Sequence, residues 1–144
     1  RFHNRAAAQS ILRVAAANGI GHVIVGRGGL LSTPAASHLI RTRGADGGFL
    51  LTASHNPGGP DGDFGVKFNM RTGGQAPEEL STALYKKTRQ LEGYRIADLP
   101  PVDIDRDGIS TFGGFTVEVV DPVADYVGLL QRLFDFDRLR DWIA

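Results

Sequence analysis

Apolar positions recur along this chain at two periods, and the alternation between them sets the expected elements. Ala8, Ile11, Leu12 and Ala15 fall three or four residues apart, as on one face of a helix. Asn4 stands ahead of that stripe as a helix cap, and Asn18-Gly19 behind it is a stop signal. His22-Val23-Ile24-Val25 is a short β-branched run that reads as a buried strand. Residues 26–31 turn the chain. Ser32-Thr33-Pro34 then opens a second helix, with a hydroxyl cap and proline in the first turn, that ends near Gly44. Residues 48–53 form a second buried strand, residues 54–65 a long glycine-rich loop, and Val66-Lys67-Phe68-Asn69-Met70 an alternating third strand. Pro77-Glu78-Glu79 opens a helix carrying Leu80, Leu84 and Leu91, with acidic residues at its start and Lys86, Lys87 and Arg89 later, as the helix dipole favours. Residues 94–114 keep no clear period and are expected to be irregular. Residues 115–120 are a further strand. Asp121-Pro122 begins a final helix with Val123, Tyr126, Leu130, Leu133 and Phe134 on one side, and Leu139, Trp142 and Ile143 belong to a last turn or two.

That order of helices and strands predicts an α/β fold. Its sheet is expected to be mixed, of about four strands, with helices on both faces and at least two strands parallel. The 144 residues suffice for one domain with one buried core. Residues 1–114 are expected to form that domain, and residues 115–144 to supply a strand and helix leading toward a second one. The chain starts at Arg1-Phe2 without methionine and stops just after a helical pattern, so it reads as a fragment.

Composition narrows the function classes. A hydrophobic share of 42% and a charged share of 22% are ordinary for a soluble globular protein. Formal net charge is zero, which argues against nucleic acid or an anionic membrane as partner. The absence of cysteine excludes disulfides, thiolate metal sites and a thiol nucleophile. No apolar run has the length of a membrane span, and no signal-peptide core opens the chain, so a cytoplasmic protein is expected. The 19 glycines include the pairs 28–29, 47–48, 58–59, 73–74 and 113–114, which mark tight turns or close backbone approach to a ligand.

The candidate chemistry lies in Thr52-Ala53-Ser54-His55-Asn56-Pro57-Gly58-Gly59-Pro60-Asp61-Gly62-Asp63-Phe64-Gly65-Val66-Lys67-Phe68-Asn69. It puts Ser54 at the carboxyl end of a strand, where α/β sheets bind ligands. Glycines that follow let backbone N–H groups face an anion. Lys67 returns on the next strand and can bring an ammonium to the same rim. A hydroxyl, the His55 imidazole and a cation suit phosphoryl transfer, as nucleophile, proton acceptor and charge neutraliser. A bland surface turn accounts for a lone Ser-His pair, but not for the whole stretch.

This stretch resembles the active-site serine loop of the α-D-phosphohexomutase superfamily, in the long form of its phosphoglucomutase branch. Ala15-Ala16-Ala17-Asn18-Gly19-Ile20-Gly21, Leu31-Ser32-Thr33-Pro34-Ala35 and Phe115-Thr116-Val117-Glu118-Val119-Val120-Asp121 resemble that branch in the same order, so the likeness covers nearly the whole chain. It implies that residues 1–114 are the superfamily's first domain without its N-terminal part. It also implies an Mg²⁺-dependent intramolecular phosphotransferase that interconverts glucose 1-phosphate and glucose 6-phosphate, with glucose 1,6-bisphosphate as intermediate and activator. Ser54 is then the phosphoserine, and its phosphate one ligand of Mg²⁺. His55 and Lys67 orient the phosphoryl group or move protons and, with Ser54, contact the hexose phosphate substrate. The family's metal loop has the form Asp-Gly-Asp-x-Asp-Arg. Asp61-Gly62-Asp63-Phe64 starts the same way but lacks the third aspartate and the arginine, and so belongs to the serine loop. The upstream Thr-Ser-Gly-Leu-Arg segment and the later sugar and phosphate loops have no counterpart here. The resemblance therefore implies a partial site that packs against further domains, inactive as an isolated chain. Its alternatives are another sugar specificity, such as mannose or glucosamine phosphates, and a non-catalytic phosphoserine scaffold.

Other signals are weaker. Asp103-x-Asp105-x-Asp107-Gly108 begins like a calcium loop, but its twelfth position is Gly114 and not a bidentate carboxylate, which leaves a solvated acidic turn. Gly26-Arg27-Gly28-Gly29 lacks the lysine of a nucleotide phosphate loop. His22 and His38 have no partners at zinc spacing, and Trp142 with Ile143 is packing surface.

Overall fold

The computed structural model describes residues 2–143. Helix α1 (Asn4–Ala17) leads into strand β1 (His22–Gly26), a single 3₁₀ turn (Arg27–Gly29) and helix α2 (Thr33–Thr42). Strands β2 (Gly47–Thr52) and β3 (Gly65–Met70) bracket the glycine-rich loop, and helix α3 (Glu78–Thr88) follows. Strands β4 (Gly108–Phe112) and β5 (Phe115–Val120) precede helices α4 (Ala124–Leu133) and α5 (Phe136–Ile143). The α/β class and the mixed pairing match the expectation: β1 runs parallel to β5, and β4 antiparallel to it.

The strands fall into two hydrogen-bonded sets. One has the order β1-β5-β4, the other is the antiparallel pair β2-β3. Strand β5, expected to open a segment leading onward, is the middle strand of the larger set. Its buried Phe115, Val117 and Val119 meet Leu12 of α1 and the buried Val102 and Ile104. On the other face Arg43, which caps α2, donates to Glu118 at 2.7 Å, so helices cover both faces.

Three expectations are corrected. Asn4 does not cap α1: the cap position is His3, and the buried Asn4 side chain instead donates to the Gly29 carbonyl at 3.0 Å. The amide serves a tertiary bond between the first turn of α1 and the 3₁₀ turn, which outweighs local capping. Residues 94–114 are not wholly irregular, because β4 forms there and turns through Gly113-Gly114 onto β5. Strand β2 is not buried: Phe49 is 62% exposed, and Val66 beside it on β3 is 57% exposed. Only the face of this pair that carries Gly48 lies against α2, where an added Cβ on Gly48 would meet Ile40 at 2.9 Å.

The Ser32 hydroxyl accepts from the Ala35 N–H at 3.3 Å, the expected cap, with Pro34 in the first turn. The acidic run is stitched to the domain by arginines. Arg5 makes a two-pronged contact with Asp105 at 2.8 and 2.5 Å, and Arg27 bridges Asp107 and Asp121 at 2.8 and 2.7 Å. The Arg5 hydrogen bond holds the Asp105 carboxyl below its usual range. Backbone N–H donation from Val123 and Ala124, aided by Arg27, does the same for Asp121.

Candidate active site

The β2–β3 ladder ends at the pair Thr52–Gly65, and the loop between them carries the chemistry. An added Cβ on Gly65 would lie 2.7 Å from the Thr52 carbonyl oxygen, so glycine permits the closure. The chain leaves β2 through a buried Ala53 and bends at once, with the Asn56 N–H donating to the Ala53 carbonyl at 3.0 Å. Ser54 and His55 are the central residues of that turn and both are exposed. Ser54 has φ of +55°, the one non-glycine residue in that region among the described residues. A side chain there costs backbone energy and persists only where the surroundings over-determine it. The Thr52 hydroxyl supplies part of that constraint by accepting from the Ser54 N–H at 2.9 Å.

Inside the loop the two arms are cross-braced. Asn56 Nδ2 donates to Asp63 at 2.7 Å, the Asp63 N–H to the Pro57 carbonyl at 3.1 Å, and the Gly62 N–H to the Gly59 carbonyl at 3.3 Å. The backbone N–H groups of Ser54, Asn56, Gly62 and Asp63 are therefore committed to partners in the loop or at its base. This differs from a loop whose amides all await an anion.

Lys67 stands on β3 opposite Leu50, two residues from the closing pair, or about 7 Å along the strand. Strand alternation places it on the same face as the buried Asn69, the face toward α2. It is half-buried and has no ion-pair partner among the described residues. The structure thus brings Ser54 and His55 into one turn, with Lys67 on the strand that returns from it. Asn69 Nδ2 donates to the Gly73 carbonyl at 2.9 Å and anchors the far end of that strand. Among the described residues no three His, Asp or Glu side chains gather as a metal cage.

One contact was invisible in the sequence. His3 Nε2 lies 3.3 Å from the Pro60 carbonyl oxygen, and its ring stands edge-on to Phe64 at 6.1 Å between centroids. The partners are 57 residues apart, and no local motif links them.

The family model described as phosphoglucomutase/phosphomannomutase, alpha/beta/alpha domain I, matches residues 1–95. The chain is 49% identical over its full length to the chloroplastic phosphoglucomutase of Solanum tuberosum, covering 23% of that protein. It is 49% identical to the phosphoglucomutase of Rhizobium radiobacter, covering 27% of it, and 47% identical to that of Schizosaccharomyces pombe, covering 26%. Among solved structures it superposes on the open form of pp63/parafusin, a phosphoglucomutase and exocytosis-sensitive phosphoprotein from Paramecium. That match has a TM-score of 0.89 and 45% identity, and covers 95% of this chain and 27% of the other. The chain spans about a quarter of the length of these relatives. With two thirds of its residues inside the domain match, the chain belongs to the phosphoglucomutase/phosphomannomutase family and corresponds to its α/β/α domain I.

Proposed function

We propose that this chain is the domain that carries the reactive serine of a phosphoglucomutase, and that Ser54 holds the transferable phosphoryl group. The observation that carries the reading is the backbone of Ser54. A non-glycine residue held at positive φ, exposed at the carboxyl end of a strand, is a costly arrangement at the end of the strand where α/β folds bind ligands. In the proposed reaction the bond between phosphorus and Ser54 Oγ breaks as one forms to the 6-hydroxyl oxygen of glucose 1-phosphate, whose proton passes to a base. The product is glucose 1,6-bisphosphate. After it turns over, its 1-phosphoryl group returns to Ser54 and glucose 6-phosphate leaves.

His55, adjacent in the same turn and exposed, is proposed to move that proton or orient the group, since an imidazole nitrogen can accept or donate a hydrogen bond and a proton. Lys67 is proposed to neutralise charge on the phosphoryl oxygens and to contact the sugar phosphate. Lys67 is half-buried and has no ion-pair partner among the described residues, which suits that role, because charge stabilisation is strongest where water is partly excluded. Mg²⁺ is part of the proposal, and when bound it would draw charge from the transferring phosphoryl group. From this chain it would take a phosphate oxygen on Ser54, a hard ligand of the kind it prefers. Its remaining ligands are assigned to chain outside residues 1–144. Glucose 1,6-bisphosphate as activator follows from the need to restore the phosphoserine.

The further domains that this reading requires have surfaces to meet. The Phe49–Val66 face of β2–β3 is open, and so are Leu133 at the end of α4, Phe134 just after it, and Trp142 and Ile143 on α5. The connection toward a second domain is assigned to α4 and α5, after β5 has completed the sheet. No helix among the described residues is long and apolar enough to cross a membrane. A cytoplasmic location is proposed, and the word chloroplastic stays with the plant relatives that carry it. Ser54→Ala in the complete enzyme tests the reading. Turnover is expected to vanish with the fold intact, and near-normal turnover would overturn it.

A further inference from the structure

The braces inside the serine loop fix its shape but not its place on the domain. Asn56 to Asp63, Asp63 to Pro57 and Gly62 to Gly59 are all bonds of the loop to itself. His3 is different. It reaches the loop from the N-terminus of α1, with a hydrogen bond at Pro60 and a ring contact at Phe64. The Pro60 carbonyl can only accept, so Nε2 carries the proton and donates. The Phe2 ring packs edge-on to the His3 ring from 5.0 Å, which limits its freedom.

What stands behind His3 is rigid. The Ala7 N–H donates to the His3 carbonyl and starts α1. The neighbouring Asn4 is buried and bonded to Gly29, Arg5 is clamped to Asp105, and Leu12, two turns on, is 2% exposed in the core. A continuous set of contacts therefore runs from the core through α1 and His3 to Pro60 and Phe64. From there it passes through Asp63 and Asn56 to the turn that holds Ser54 at positive φ. We infer that His3 is a positioning residue for the reactive-serine loop, tying its outer arm to α1 so that the strained Ser54 turn keeps one orientation. The inference rests on the reading of Ser54 given above, but its first test does not.

That test is site-resolved amide hydrogen exchange on the complete enzyme, comparing wild type with His3→Ala, His3→Gln and His3→Phe. His3→Ala is expected to raise exchange at Asn56, Gly62 and Asp63 by roughly threefold to tenfold, the worth of one net hydrogen bond, while amides in the middle of α1 and in β5 stay as they were. Gln keeps an N–H donor and Phe keeps a ring, so partial rescue by either shows which contact carries the effect. Unchanged loop exchange in His3→Ala would overturn the inference, as would a uniform loss of protection across α1 and the sheet, which marks a merely structural role. If His3→Ala does not fold, Phe64→Leu removes the ring contact from the loop side and is held to the same two outcomes. In the complete enzyme, His3→Ala is expected to lower kcat by a similar factor with KM little changed. Loop exchange that rises in His3→Ala while Ser54 of the wild-type complete enzyme never takes up phosphate would leave the His3 contact standing and refute the reading of Ser54.

Discussion

Gly62 offers the sharpest test of whether the loop must be built as seen. A Cβ placed there would lie 2.6 Å from the Gly58 carbonyl carbon, 2.8 Å from the Gly59 nitrogen and 2.8 Å from the Pro57 carbonyl oxygen. All three are backbone atoms of the opposite arm, so no side chain can swing aside. The arms must part, and the bonds Asp63 to Pro57 and Gly62 to Gly59 stretch with them. Forcing a methyl into a packed site costs about 1–3 kcal/mol, and two weakened hydrogen bonds lie in the same range. At 1.4 kcal/mol per factor of ten, that lowers the population of the built loop by roughly fivefold to 150-fold. The damage should stay local, because the loop lies outside the Leu12–Val117 core. Gly62→Ala should therefore hold its thermal midpoint within a few degrees while Ser54 phosphorylation by glucose 1,6-bisphosphate slows in the complete enzyme. Gly93→Ala, with nothing within 4 Å of the new methyl, is the matched control and should change neither. Wild-type phosphorylation in Gly62→Ala would refute the claim that the cross-braced loop is the reactive form.

Other predictions concern the core, the cation and acid stability. Leu12→Ala removes a 2%-exposed side chain packed on Val117 and should cost about 2–5 kcal/mol by denaturant titration, whereas Leu84→Ala on the exposed α3 should stay within about 0.5 kcal/mol. Lys67→Met should lower kcat in the complete enzyme by on the order of 10²–10³ without shifting the melting temperature, and unchanged kinetics would remove Lys67 from the site. The carboxyls of Asp105 and Asp121 are held below their usual range, so their contribution is complete above about pH 4 and fades as pH falls through their lowered values. Asp121→Asn keeps an oxygen to accept from Val123 and Ala124 but drops the charge. Its melting temperature should fall less steeply than wild type between about pH 4 and pH 2, and an identical slope would contradict the assignment.

The loop was legible because its chemistry is contiguous: serine, histidine, glycines and lysine follow one another within one hairpin. Ser32 and Pro34 were legible for the same reason, since capping is decided by neighbours. Asn4 misled because tertiary contact overrode the local rule, and its amide found Gly29 instead of its own helix. Strand β4 hid because Ile109, Ser110 and Thr111 are short and mostly exposed. The sign of it was Gly113-Gly114 between two β-rich runs, a two-residue hairpin turn. Pairing β1 with β5 rather than β2 depends on contacts nearly a hundred residues apart, which periodicity does not encode. His3 lay beyond reach for a similar reason, as its partners come from a loop 57 residues away.

The central claim is that Ser54 carries the phosphoryl group, and locating that group tests it most directly. The complete enzyme would be incubated with glucose 1,6-bisphosphate, digested, and its phosphate placed by tandem mass spectrometry. One phosphate on Ser54, replaced by labelled phosphate when glucose 1-phosphate carrying an isotopic label in its phosphate is added, and absent in Ser54→Ala, is the result this account predicts. A phosphate on any other residue, or turnover with Ser54 never modified, would contradict it.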